Sequence, residues 1–184
     1  MIQQADAPAV NVWDRAVRCL HWALVLAVAG AWITTERWVW AHQAVGYVAL
    51  GVMLLRLLWG FSGSRYARFA QFVRGPRTTW RYLLQLRARR EPRYIGHNPL
   101  GGWMVLALLL CVLALGLTGW LYTTDWFWGD ALVDALHHEL AWALLVLAVM
   151  HVVGVLFTSL RHHENLLRAM CSGVKRAPHE DDVN

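Results

Sequence analysis

LVDALHHELAWALLVLAVMHVVGVLFTSL, residues 132–160, is apolar apart from its opening acids and its histidines. Read as a helix rising 1.5 Å per residue, the step from His137 to His151 covers about 21 Å and close to four whole turns, so both imidazoles leave one face. In a hydrocarbon layer about 30 Å thick, one imidazole then lies near each surface. A neutral imidazole inside a membrane is a natural axial ligand for haem iron. Two stacked haems, one per leaflet, would form an electron path across the bilayer. The competing reading is a pair of hydrogen-bonded bundle histidines.

The whole chain supports a membrane setting. Its 184 residues are 58% hydrophobic and the mean hydropathy is +0.36, which fits a small polytopic membrane protein. Apolar runs at about 16–35, 42–61, 99–122 and 133–160 are each long enough to span, and no strand pattern or internal repeat competes with them. The expected fold is therefore an all-α membrane protein: one domain over residues 1–184, a four-transmembrane-helix bundle enclosing two b haems. Twelve tryptophans suit repeated interfacial crossings. Asn98 is expected as the N-cap of the third span and Pro99 as its first residue. Residues 1–12 read as polar and disordered.

Charge sets the topology. Nine arginines fall within 62–98 against a single acid, Glu91, and 15 of the 17 basic residues flank the ends of the spans on one side, against only Arg37 on the other. The positive-inside rule then puts both termini and the basic loop in the cytoplasm of a bacterial cell, with the spans in its inner membrane. A net charge of +5 distributed this way reflects topology and implies no nucleic-acid partner. Cys19, Cys111 and Cys171 form no C-x-x-C or C-x-x-C-H, which argues against a thiolate metal site and covalent haem. The N-terminus carries no signal-peptide pattern, so none is expected. Within the loop, PRTTWRYLLQLRARR (residues 76–90) reads either as a solvated basic segment or as an amphipathic helix. In the second case Trp80, Leu83, Leu84 and Leu86 lie in the interface while arginines meet anionic lipid headgroups.

Matching depths pairs His42 with His137 for an outer haem and His21 with His151 for an inner one. The inner match needs the first helix extended back toward Trp13. His138 sits about 140° from His151 around the helix, against about 40° for His137, so geometry favours His137. Arg56 follows His42 by fourteen residues and faces the same way one layer deeper. It either snorkels toward the inner surface or pairs with a haem propionate. Arg18, one turn before His21, has the same two options. Gly46 and Gly116 are either sites of close macrocycle approach or ordinary helix contacts. His97 reads as a loop residue or headgroup contact, and His162, His163 and His179 as exposed tail residues.

RCLHW (Arg18 to Trp22), the histidine opening the second span, GHNPLG (Gly96 to Gly101), HHELAW followed by His151, and ENLLRAMCSGVKR (Glu164 to Arg176) together resemble the bacterial cytochrome b561 family and the related b-type cytochrome subunit of nickel–iron hydrogenases. The resemblance covers nearly the whole chain; the doubled histidine at 137–138 is a departure from the pattern. It implies a four-helix bundle, two non-covalent b haems with bis-histidine ligation at His21, His42, His137 and His151, and electron exchange with quinone or a partner redox protein.

The expected function is that of a di-haem b-type cytochrome, carrying electrons between a quinone pool and a redox partner such as a cytochrome c. Alternatives are an electron-relay subunit anchoring a hydrogenase or dehydrogenase, a self-contained superoxide:quinone oxidoreductase, and a haem-free transporter or assembly factor whose histidines relay protons. The connector with Asp125, Asp130 and Asp134 would repel an anion, which favours a protein donor over superoxide.

Overall fold

In the computed structural model, which describes residues 9–35 and 37–184, a two-residue strand β1 (Val10–Asn11) leads into α1 (Arg15–Thr34), and α2 (Val39–Ser62) follows after a short turn. A 3-10 turn (Arg65–Ala67), α3 (Phe69–Phe72) and α4 (Pro76–Arg87) occupy the basic segment. The chain then continues through α5 (Pro99–Tyr122), α6 (Ala131–Arg161), α7 (Leu166–Ser172) and β2 (Val174–Lys175). Among the described residues, α1, α2, α5 and α6 are long and apolar enough to cross a membrane, and the four expected spans fall on them.

Side-chain caps start three of these helices. Asp14 accepts from the Val17 amide at 2.8 Å and Asn98 from the Gly101 amide at 2.7 Å, while Asp130 accepts from Leu132 and Val133 at 2.9 Å each. Each cap satisfies backbone donors that the first helical turn leaves without partners. Pro99 opens α5, as expected from its missing N–H. Leu26, Ile33, Leu58 and Leu160 point outward and are exposed. Such a surface suits lipid as solvent and would be a liability in water. Trp38, Trp40, Trp126 and Trp128 are exposed at one end of the bundle, the level at which indoles favour the interface.

Met53, Leu109, Cys111, Val112 and Leu144 form the core shared by α2, α5 and α6. α2 packs on α1 and on α5, and α5 packs on α6. Among the described residues, α6 packs its backbone mainly against α5 of the membrane helices. Toward α1 and α2 the space is bridged by side chains: His21 to His151, Trp32 to Trp142 and His42 to His137. That seam positions the site.

At the end of the bundle carrying the chain's described termini, the basic segment folds into a cap. This departs from both a disordered start and a purely solvated loop. β1 pairs antiparallel with β2, Val10 opposite Lys175 and Asn11 opposite Val174; residues 1–8 lie outside the described ones. Gly173, at φ 86°, turns the chain between α7 and β2, and its carbonyl receives the amides of Val12 and Trp13 at 2.8 and 3.0 Å. Val12, Trp13, Val17, Tyr66, Ala67, Ile95 and Ala169 make an apolar cluster beneath. Arg93 is buried and held by Glu164 at 2.5 Å and by Asp182, with Lys175 3.2 Å from Glu164. Burial pushes the Glu164 carboxyl up, but Arg93 and Lys175 together hold it below the usual carboxylate range. This end is the cap side; the opposite end, with residues 123–130, is the connector side.

Candidate functional site

The seam between α6 and the α1–α2 pair holds two imidazole pairs at two levels. On the connector side, His42 from α2 faces His137 from α6 with ring centroids 6.1 Å apart. On the cap side, His21 from α1 faces His151 from α6 at 6.5 Å. Two imidazoles bound on opposite sides of one metal, each with a bond of about 2.0–2.1 Å and a ring nitrogen about 1.1 Å from its centre, stand about 6.3 Å apart. Both separations are what a shared iron would need. α1 begins at Arg15, capped by Asp14, so the cap-side rings meet without the helix reaching Trp13.

The connector-side pair is built around a cavity of about 600 Å³, within the size range of cofactor pockets. Trp32, Trp142, Gly46 and Gly119 join the two histidines in its lining. A Cβ at Gly46 would meet nothing within 4 Å, so the backbone there is open to a flat ligand; one at Gly116 would run into Leu50, which makes Gly116 a helix contact as well as part of the wall. Each ring is oriented through Nδ1. His42 Nδ1 lies 2.9 Å from the Ala31 carbonyl, which can only accept, so it carries the proton. His137 Nδ1 lies 3.0 Å from Thr118 Oγ1, whose own proton goes to the Ala114 carbonyl at 2.9 Å. The hydroxyl therefore accepts from His137, leaving both Nε2 atoms as lone-pair donors. Sequence reasoning missed Thr118; its signal was a hydroxyl placed mid-span, nineteen residues before His137. His138 points outward, exposed, with Nδ1 3.0 Å from the Asp134 carbonyl. Asp130 caps α6 and the Asp134 carboxylate lies 3.5 Å from His138 Nδ1, so two of the three connector acids have local structural partners.

The cap-side pair has different surroundings. Arg56 is buried, donates to the Ala67 carbonyl at 3.2 Å and lies over the Phe69 ring at 5.4 Å. Its Nη1 is buried without a partner. Arg18 donates to the Cys171 carbonyl and likewise keeps Nε buried and unpartnered. Both arginines thus reach toward the cap, each with one hydrogen bond to a cap carbonyl.

His97 is more than a headgroup contact. Its ring sits 4.7 Å from both Trp13 and Phe72, and Nδ1 is buried without a partner. Burial, reinforced by the charges of Arg56 and Lys175 and by the nearby His151 and His21, pushes it down to about 3. His97 is therefore neutral in the folded protein at ordinary pH. Among the described residues Arg18 and Arg56 form no ion pair with a carboxylate, and the propionates of a haem are acids of the required kind. The donor sets at both levels fit the group.

A family model described as prokaryotic cytochrome b561 matches residues 12–173. Similar proteins include a probable Ni/Fe-hydrogenase B-type cytochrome subunit of Bradyrhizobium diazoefficiens, 26% identical over 92% of this chain and 87% of that one. Its counterpart in Rhodobacter capsulatus is 27% identical over 89% and 80%. Cytochrome b561 homolog 2 of Escherichia coli is 28% identical over 78% and 80%. No solved structure matches the chain.

Proposed function

Because the chain belongs to the prokaryotic cytochrome b561 family, and is thus a multi-pass membrane b-type cytochrome of electron transfer that takes haem b, we propose that it holds two such haems and carries electrons across the membrane between a quinone pool and a redox protein. The observation that carries this reading is the pair of imidazole gaps, 6.1 and 6.5 Å, at two levels of one bundle. His42 and His137 would hold one haem, His21 and His151 the other, with Arg18 and Arg56 meeting the cap-side propionates. Bound there, haem b would supply one-electron exchange between ferric and ferrous iron, with these imidazoles as the residues that hold it.

The chain's own part is to orient and enclose. Ala31 and Thr118 fix the tautomer and tilt of the connector-side rings. Trp32 and Trp142 wall the cavity, and the folded cap shields the cap-side level from water. The cap side would face the cytoplasm of a bacterial inner membrane, since basic residues concentrate there. A positively charged donor such as a cytochrome c would dock on the acidic connector side.

Single alanine substitutions test the pairing. His42→Ala and His137→Ala should abolish the same haem signal, and His21→Ala and His151→Ala the other. Loss of one signal by His42→Ala and His151→Ala together would refute the assignment. The names of the relatives favour a second reading, a relay subunit that accepts electrons from a hydrogenase. A protein that purifies alone with both haems and is reduced by quinol would count against an obligate subunit.

A further inference from the structure

A buried polar group without a hydrogen-bond partner is destabilising, so several gathered in one place ask for a ligand. Among the described residues four side chains have such an atom: Arg18 Nε, Arg56 Nη1, Gln71 Oε1 and His97 Nδ1. They come from α1, α2, α3 and the turn before α5, yet all lie at the cap end of the bundle. A chain of contacts joins them. Arg56, only 6% exposed, lies over the Phe69 ring, which stands 5.7 Å from Phe72. The His97 ring is 4.7 Å from both Phe72 and Trp13. The Trp13 amide donates to the Gly173 carbonyl, and a Cβ on Gly173 would stand 3.2 Å from Arg18 Nε.

Three of these atoms are nitrogens of basic side chains; Gln71 Oε1 is an acceptor and has no part in holding an anion. The three nitrogens belong to one level of the seam. Arg18 is one turn before His21 on α1, and His97 is near enough to Arg56, His21 and His151 to feel the charge of each. His97 is neutral in the folded protein, so unlike the guanidiniums it has a single N–H to give and no net charge to lend. Packing against two aromatic rings would be served as well by a phenylalanine and leaves Nδ1 without a purpose.

We propose that His97 donates from Nδ1 to a propionate carboxylate of the cap-side haem, completing a cradle with Arg18 Nε and Arg56 Nη1. The proposal rests on the two-haem reading. A carboxylate offers about four lone-pair sites, enough for all three nitrogens. The guanidiniums supply charge, while the imidazole supplies a directed hydrogen bond from the turn that opens α5.

The test is resonance Raman of the full-length, haem-loaded protein, reading the propionate bending band, together with haem transfer to apomyoglobin. The cap-side haem is identified as the transfer phase that His21→Ala abolishes. His97→Phe keeps the ring packing and removes the donor; it should lower the band frequency and speed the cap-side phase about tenfold, leaving the connector-side phase unchanged. His97→Asn, whose amide nitrogen can stand where Nδ1 stood, should restore both readouts. His97→Gln, which reaches the Nε2 position instead, should not. Should His97→Phe fail to fold, the Asn and Gln variants still separate the outcomes, and equal behaviour of those two would overturn the proposal. A wild type without a cap-side haem would overturn the two-haem reading. A wild type carrying both haems, with band and rate unmoved in His97→Phe, would overturn this proposal alone.

Discussion

The two imidazole pairs differ in what surrounds them more than in their spacing. The connector-side pair is oriented by hydrogen bonds from both Nδ1 atoms and opens onto a cavity of about 600 Å³. The cap-side pair lies beneath a folded lid, beside two arginines and a histidine that keep buried nitrogens unpartnered. One pair is oriented by hydrogen bonds, the other lies beside positive charge. On the proposed two-haem reading that division would give the wire a direction, because a buried cation favours the reduced form of the site next to it.

The largest effect that would separate the levels concerns Thr118. Thr118→Val removes the acceptor for His137 Nδ1 while conserving volume. It should loosen the connector-side haem by about 10- to 100-fold, read as faster transfer to apomyoglobin, and leave the other haem in place. Equal loss from both sites would mean that the two levels are not independently built.

Arg56 sharpens the electrostatic half of the comparison. Arg56→Leu should lower the cap-side midpoint potential by about 40 mV, the one-electron equivalent of about 1 kcal/mol, and leave the connector-side potential unmoved. Arg56→Lys should restore most of it. An unchanged potential would reduce Arg56 to a strut holding the Ala67 carbonyl.

The smallest effect is a pH dependence. His97 is held neutral down to about 3 in the folded state, whereas a free histidine titrates near 6.5. Below pH 6.5 the unfolded chain therefore binds the extra proton, and folding is penalised progressively as pH falls toward 3. Between pH 6.5 and 5 the wild type should lose up to about 2 kcal/mol, seen as a falling Tm. His97→Asn should flatten that slope; an equally steep variant would place the titration elsewhere.

Much of the bundle was legible in the sequence because its signals are local. Unbroken apolar runs mark the spans, Asn98 before Pro99 marks a helix start, and the interval from His137 to His151 encodes a shared face. The cap was not legible, since its contacts join distant positions: Arg93 meets Glu164 and Asp182, and Val10 meets Lys175. A count of nine arginines against one acid left open a solvated loop or an amphipathic helix over 76–90, and hid that Arg93 is buried. His97 looked like a loop residue because nothing nearby in sequence announces that Trp13 and Phe72 close over it. Thr118 escaped for a similar reason, a single hydroxyl in an apolar run being easy to assign to its own helix.

Haem counting joined to a redox titration tests the central claim most directly. The purified full-length protein, assayed by pyridine haemochrome against quantitative amino-acid analysis, should carry two haem b per chain and titrate as two one-electron steps of distinct potential. One haem per chain, or a single potential abolished alike by His42→Ala and His21→Ala, would contradict it.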